Sequence, residues 1–192
     1  MTLADQLRAA LGPAATDRLT GDADWPRTSN AIPAAVLVAV TDRAEPGVIL
    51  TVRRDDLRTH AGQVAFPGGR IDPGEDPSQA AIREAWEELS LDRDLAEVVG
   101  ELDSYRTITG FDVTPVLAAV PADLALVPHD REVADWFEAP LGFLLDPANQ
   151  HLQSVLFEGR TRHYYEIAWE GRRIWGATAA MLVNLSRRLA WR

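Results

Sequence analysis

Residues 68–91 read GGRIDPGEDPSQAAIREAWEELSL. Asp76 followed by Pro77 has the form of a helix N-cap with proline at the first helical position, and Gln79 can close a capping box. The pattern predicts a helix from Pro77 to about Leu89. On that helix Glu84, Glu87 and Glu88 share a face, because residues three and four apart are neighbours. Ile82, Ala85, Trp86 and Leu89 fall on the opposite side and are expected to face a core. Three like charges on one turn destabilise an isolated helix. Either the face is simply solvated, which is common, or a hard divalent cation with oxygen ligands compensates it. Ahead of the helix, Gly68-Gly69 and Asp72-Pro73-Gly74 predict a tight, ordered loop.

The spacing of the charged residues goes further. Gly69 is followed after five residues by Glu75, after seven more by Arg83-Glu84, and then by Glu87-Glu88 and Leu91. This resembles the Nudix box, G-x5-E-x7-R-E-U-x-E-E-x-G-U with U apolar. Ser90 stands where the pattern has glycine, a departure that bears on the local turn more than on the chemistry. The resemblance implies an α+β fold, a Nudix-type α/β/α sandwich with a mixed central sheet. It also implies a phosphoanhydride hydrolase dependent on Mg²⁺ or Mn²⁺. Glu84 and Glu88 are then the first choice of metal ligands, with Glu87 third and the Gly68 carbonyl as a further donor. Arg83 and Glu75 are implied to hold the loop opened by Gly69 against the helix, which orients the carboxylates. Glu87 and Glu132 are the candidates for general base, Glu132 because Nudix enzymes often recruit a carboxylate from far outside the box. The alternative for Glu132 is a surface residue that starts a strand.

A second motif lies upstream: Ile49-Leu50-Thr51-Val52-Arg53, then residues 57–69, LRTHAGQVAFPGG. It is similar to the signature of the coenzyme A pyrophosphatase branch, L-L-T-x-R-[SA]-x3-R-x3-G-x3-F-P-G-G. Arg54 replaces the small residue of that pattern, and Ile49 departs mildly. Residues 109–116, 132–141 and 175–179 also look like that branch, so the resemblance covers roughly 33–185. Arg recognises phosphate with a planar fork of donors. Arg53 and Arg58 could therefore neutralise a substrate that the acidic helix would repel, with His60 as a further binding candidate. The competing reading is surface arginines paired with Asp55, Asp56 or Asp72 and a solvent-exposed histidine. His129, His151 and His163 have no metal-ligand spacing.

The whole chain sets the outer limits. Its 192 residues and 46% hydrophobic content suit one core. We divide it into an N-terminal helix and irregular arm, 1–30, and the Nudix hydrolase domain, 31–192. The net charge of −10 argues against general nucleic-acid or anionic-membrane binding. All 19 basic residues are arginine, and cysteine is absent, so disulfides, thiolate metal sites and a catalytic thiol are excluded. The longest apolar run, 31–40, is too short to span a membrane, and the N-terminus lacks the pattern of a signal peptide. The expected setting is cytoplasmic. The expected partner is a small molecule, coenzyme A or a derivative, with a homodimer left open. A Nudix hydrolase of another nucleoside diphosphate derivative, such as a sugar nucleotide or dinucleotide, is the alternative. A non-catalytic nucleotide-binding module is a second, and the presence of all three helix carboxylates weighs against it.

Hydrophobic patterning predicts a helix over 2–11 and strands over 34–41, 48–53, 97–105, 113–120 and 132–138. A short helix is expected over 141–145, a hairpin over 153–157 and 163–169, and a final helix over 178–189. Arg187, Arg188 and Arg192 suit the negative end of that last helix.

Overall fold

A computed structural model describes residues 1–21, 31–54, 62–157 and 159–191. Helix α1 (Leu3–Ala10) starts at Thr2, whose hydroxyl accepts the Asp5 N–H while Asp5 accepts the Thr2 N–H. Strands β1 (Ile32–Asp42) and β2 (Gly47–Arg53) form the expected antiparallel pair, with Val40 opposite Val48. Beyond that point they diverge, and two short strands fill the fork. β3 (Val64–Ala65) pairs with Thr51 and Val52 of β2. β4 (Gly68–Arg70) pairs with Ala34, Ala35 and Val36 of β1, and the Leu37 N–H donates to the Pro67 carbonyl at 2.8 Å. The Gly68-Gly69 pair is thus in a strand wedged into the sheet, where a loop was expected. Backbone bonding to β1 is what makes it a rigid wall for a site.

Helix α2 (Pro77–Leu89) has the expected limits and both capping-box bonds between Asp76 and Gln79, at 2.8 and 3.0 Å. The strand expected over 97–105 is two strands, β5 (Glu97–Glu101) and β6 (Tyr105–Arg106), both paired to β7 (Phe111–Pro121). In the gap between them, Asp103 leaves the ladder to approach Arg18 at 3.9 Å and Arg188 at 3.7 Å. β8 (Val133–Pro140) runs antiparallel along β2 and starts one residue after Glu132, so Glu132 is in the loop. Helix α3 (Leu141–Leu145) lies where expected. β9 (His151–Phe157) and β10 (Arg160–Trp169) form the expected hairpin. β11 (Arg172–Trp175), which was not expected, adds a third strand to it, and α4 (Ala177–Arg188) closes the chain. β11 escaped because its four residues, RRIW, are too short and too charged to show a period.

The main sheet runs β3-β2-β1-β7-β5, with β8 on β2, β4 on β1 and β6 on β7. β1 and β7 are parallel along their whole length, and the other pairings are antiparallel. The α+β fold with a mixed sheet is as expected. One face of the sheet packs α2 through Ala35, Leu37, Ile49, Val116 and Ala118 against Ala81, Ala85 and Leu89. The other face carries α1, α3, α4 and the three-stranded sheet, with Leu7, Val38, Leu50, Leu117, Ile167 and Leu182 in the core. The arm after α1 is stitched to α4. Asn184 accepts from the Leu19 N–H and donates to the Leu19 carbonyl, each at 2.8 Å, and Arg188 Nε donates to the Gly12 carbonyl. Trp86 is a correction. It is 49% exposed, with Arg93 4.7 Å above its ring, because the buried stripe runs through Ala81, Ala85, Glu88 and Leu89. No helix among the described residues is long and apolar enough to cross a membrane.

Candidate active site

Three of the five buried residues of α2 are alanines, Ala80, Ala81 and Ala85, so the helix can lie close on β1 and β7. That closeness carries Glu84 and Glu88, one turn apart, towards β4. The Gly68 N–H donates to Glu88 Oε2 at 3.3 Å. A Cβ on Gly69 would overlap the Glu84 carboxylate, and one on Gly68 would overlap the Ala35 carbonyl and Val36. Both glycines are therefore required by approach distance, Gly69 by the helix and Gly68 by the sheet.

Arg83 ties the wall to the helix. Its Nε and Nη2 donate to the two oxygens of Glu75 at 2.8 and 3.1 Å, and Nη2 also donates to the Arg70 carbonyl at 2.8 Å. Nη1 donates to Glu84 Oε1 at 2.7 Å. Glu75 in turn accepts the Asp72 N–H at 3.0 Å. The Arg83 fork and that N–H hold the Glu75 carboxyl below the usual glutamate range. Arg83 and Glu75 thus link the loop, β4 and α2. Sequence reasoning missed the Arg70 carbonyl, since a main-chain acceptor leaves no mark in a side-chain pattern.

The two carboxylates differ in exposure and in partners. Glu88 is 5% exposed. Burial pushes its carboxyl up to about 8, helped by the charges of Glu84 and Glu132 and opposed by the Gly68 N–H and Arg53. Glu84 is also raised, by burial first, even though Arg83 holds one of its oxygens. Glu87 stands at the edge of the pair, its charge adding to the rise at Glu84. Its side chain is 48% exposed, and its closest basic partner is Arg83 at 3.6 Å.

Glu132 comes from a loop that docks on the end of α2. The Val127 N–H donates to the Leu89 carbonyl and the His129 N–H to the Glu88 carbonyl, each at 2.8 Å. Its charge reaches both Glu84 and Glu88. On the β2 side, Arg53 Nε is buried with no hydrogen-bond partner among the described residues. Arg58 and His60 lie outside the described residues.

Among the described residues, no group of three or more His, Cys, Asp or Glu forms a metal-binding cluster. The Glu84–Glu88 pair nevertheless fits a hard divalent ion. Mg²⁺ is commonly bound through one or two carboxylates, with water and substrate phosphate completing the shell. Two oxygen donors whose ionisation is opposed by burial are the chemistry that such an ion relieves.

Residues 31–159 match the NUDIX domain family model. The chain belongs to the Nudix family. It is 39% identical over 158 residues to the uncharacterised Nudix hydrolase NudL of Yersinia pestis (strain Pestoides F), covering 82% of this chain and 79% of that protein. The Yersinia pseudotuberculosis (serotype O:1b, strain IP 31758) NudL matches to the same extent. Among solved structures, the Nudix hydrolase RenU from M. smegmatis superposes with a TM-score of 0.52 at 26% identity. That match covers 66% of this chain and 81% of RenU. This Nudix hydrolase acts on a phosphoanhydride, and Nudix hydrolases generally use divalent ions such as Mg²⁺ or Mn²⁺.

Proposed function

We propose that this Nudix hydrolase cleaves the diphosphate of coenzyme A, or of an acylated derivative. The products are 3′,5′-ADP and 4′-phosphopantetheine or its acyl form. The observation that carries the reading is Arg53, whose buried Nε has no hydrogen-bond partner among the described residues, beside an acidic centre. Such a group costs stability unless something accepts from it. A phosphate oxygen of the substrate is the acceptor whose charge matches. Arg53 is also the arginine of the upstream motif similar to the coenzyme A branch, which favours this substrate over other nucleoside diphosphates.

In this reading Glu84 and Glu88 hold Mg²⁺ or Mn²⁺, with the Gly68 carbonyl as a further donor. The ion supplies charge neutralisation at the phosphoryl oxygens and lowers the pKa of a water. Arg83 and Glu75 keep Glu84 turned towards Gly69. Arg53, with Arg58 and His60, binds and orients the phosphates. Glu132 takes the proton from the attacking water as its oxygen bonds to phosphorus. The bridging P–O bond breaks, and both products leave as phosphate monoesters. Glu132 is preferred to Glu87 as base because its charge bears on both Glu84 and Glu88, whereas Glu87 bears on Glu84 and stands 3.6 Å from Arg83.

The test is a product assay with Mg²⁺ or Mn²⁺ and a panel of coenzyme A, dephospho-coenzyme A, ADP-ribose, NADH and nucleoside triphosphates. Coenzyme A is expected to be cleaved best. If an arginine fork holds the 3′-phosphate, dephospho-coenzyme A is poorer by about ten- to a hundredfold in kcat/KM. Preference for ADP-ribose or a nucleoside triphosphate overturns the substrate assignment and leaves the hydrolase intact.

A further inference from the structure

Glu132 is exposed on the loop before β8, its charge acts on Glu84 and Glu88, and two sets of bonds hold its loop. On one side are the His129 and Val127 N–H groups on the last carbonyls of α2. The loop then turns on the His129 carbonyl, which accepts from the Glu132 and Val133 N–H groups, each at 3.1 Å. On the other side stands Arg54. Its N–H donates to the Glu132 carbonyl at 3.3 Å, and its Nη1 donates to the Asp130 carbonyl.

We propose that Arg54 is a positioning residue, clamping the 129–132 loop so that the Glu132 carboxylate faces Glu84 and Glu88. The inference rests on Glu132 acting in the reaction as described above. The main-chain bond from Arg54 would survive any side chain, but the bond to Asp130 needs a long donor. Arg54 stands where the upstream pattern has a small residue, so this chain holds the loop with a contact that the pattern does not provide. The location suits the role. β2 and β8 slip register between Val52 and Arg53, so the regular ladder stops where the loop begins. Beyond the slip, Arg54 adds a side-chain bond to its main-chain bond. Arg54 also leads into the segment that carries Arg58. That segment is closed at its stem by Arg53 N–H to the Gln63 carbonyl at 3.0 Å and Gly62 N–H to the Arg53 carbonyl at 3.1 Å.

The experiment compares Arg54→Ala, Arg54→Lys, Glu132→Gln and the double variant on whichever pyrophosphate the wild type turns over fastest. Misplacing a reacting group by a fraction of an ångström costs rate more than binding. Arg54→Ala is expected to lower kcat by about tenfold, ~1.4 kcal/mol, with KM changed less than about twofold. Arg54→Lys should recover part of the loss. In the Glu132→Gln background, Arg54→Ala should cost nothing further. Hydrogen exchange of the 129–133 amides should quicken in Arg54→Ala while that of α2 stays the same. A kcat loss that persists without Glu132, a rise in KM alone, or unchanged exchange in the loop overturns the proposal. If Glu132→Gln itself keeps full activity, the base assignment is wrong, a result distinct from a failure at Arg54. Should Arg54→Ala not fold, Arg54→Gln replaces it in each comparison.

Discussion

The α2 wall and the 126–132 loop both face Glu88, and they are built in opposite ways. The wall is local. Glu75, Arg83, Glu84, Glu88 and the two glycines lie within one short stretch, and their bonds close within it. The loop is remote. It is tied to α2 mainly through main-chain N–H groups, with a long bond from the Ser90 hydroxyl to the Val127 carbonyl, and its other anchor is Arg54, 76 residues away in sequence from Asp130. A local site can be rebuilt from spacing alone, whereas a remote one exists only once the sheet has brought β2 and β8 together.

If the wall carries the chemistry, its loss is the largest effect. Glu88→Gln keeps an acceptor for the Gly68 N–H but removes the charge that would hold a cation. Turnover should fall at least ~10²-fold, and chelator should abolish wild-type hydrolysis until Mg²⁺ or Mn²⁺ returns. Steady-state kinetics with metal-buffered assays measure both. Full activity in the variant or in excess chelator removes Glu88 as a ligand.

The loop is tested next, on the same helix. Glu132→Gln should lower kcat by about 10²-fold as the loss of a general base, while Glu87→Gln should cost less than about tenfold. The reverse order would return the base to the wall and leave the loop a structural cover.

These residues also show what was legible in the sequence. The capping box, the limits of α2 and the Arg83–Glu75 pair follow from contacts three to eight residues apart, so pattern is enough. The three glutamates looked equivalent at that range. Only the angle at which α2 sits on β1 and β7 buries Glu88, half-covers Glu84 and leaves Glu87 outward. The same angle turned Trp86 out of the core. Glu132 could be named from the resemblance, but its approach to Glu84 and Glu88 depends on the docking of Val127 and His129. Arg54 was visible only as a departure from a pattern. The three-stranded sheet escaped in part because β11 is stabilised by pairing with β10 and by the burial of Ile174, neither of which a short charged string reveals.

A smaller effect separates burial from catalysis. Burial pushes the Glu88 carboxyl up to about 8 from its ordinary value of 4.5. The folded value is raised, so the neutral acid favours folding below about 4.5. That contribution is lost as pH rises through 8. Glu88→Gln does not ionise and escapes the loss. In chelator the variant should melt above the wild type at pH 8, with the gap shrinking towards pH 5. A gap that does not depend on pH would mean Glu88 is already solvated, and calorimetry across that range decides it.

The smallest expected effect concerns the residue that joins the two regions. Ser90 ends α2 with φ 57° and ψ 28°, in the left-handed region, at the position where the box pattern has glycine. An L-residue with a Cβ pays about 1–2 kcal/mol there. Glycine avoids that strain but brings more freedom in the unfolded chain, worth roughly 0.5–1 kcal/mol in the other direction. The hydroxyl contributes little, since its bond to the Val127 carbonyl is long at 3.4 Å. Ser90→Gly should therefore stabilise by about 0.5–1 kcal/mol, a rise in Tm of roughly 1–4 °C for a domain of this size. The Val127 and His129 N–H bonds to α2 do not involve the Ser90 side chain, so kcat should stay the same. A lower Tm with unchanged kcat would show that the hydroxyl holds the loop more firmly than its length suggests. A fall in kcat would show more: the angle at which the helix ends would then set where Glu132 stands, making the two regions one device instead of two.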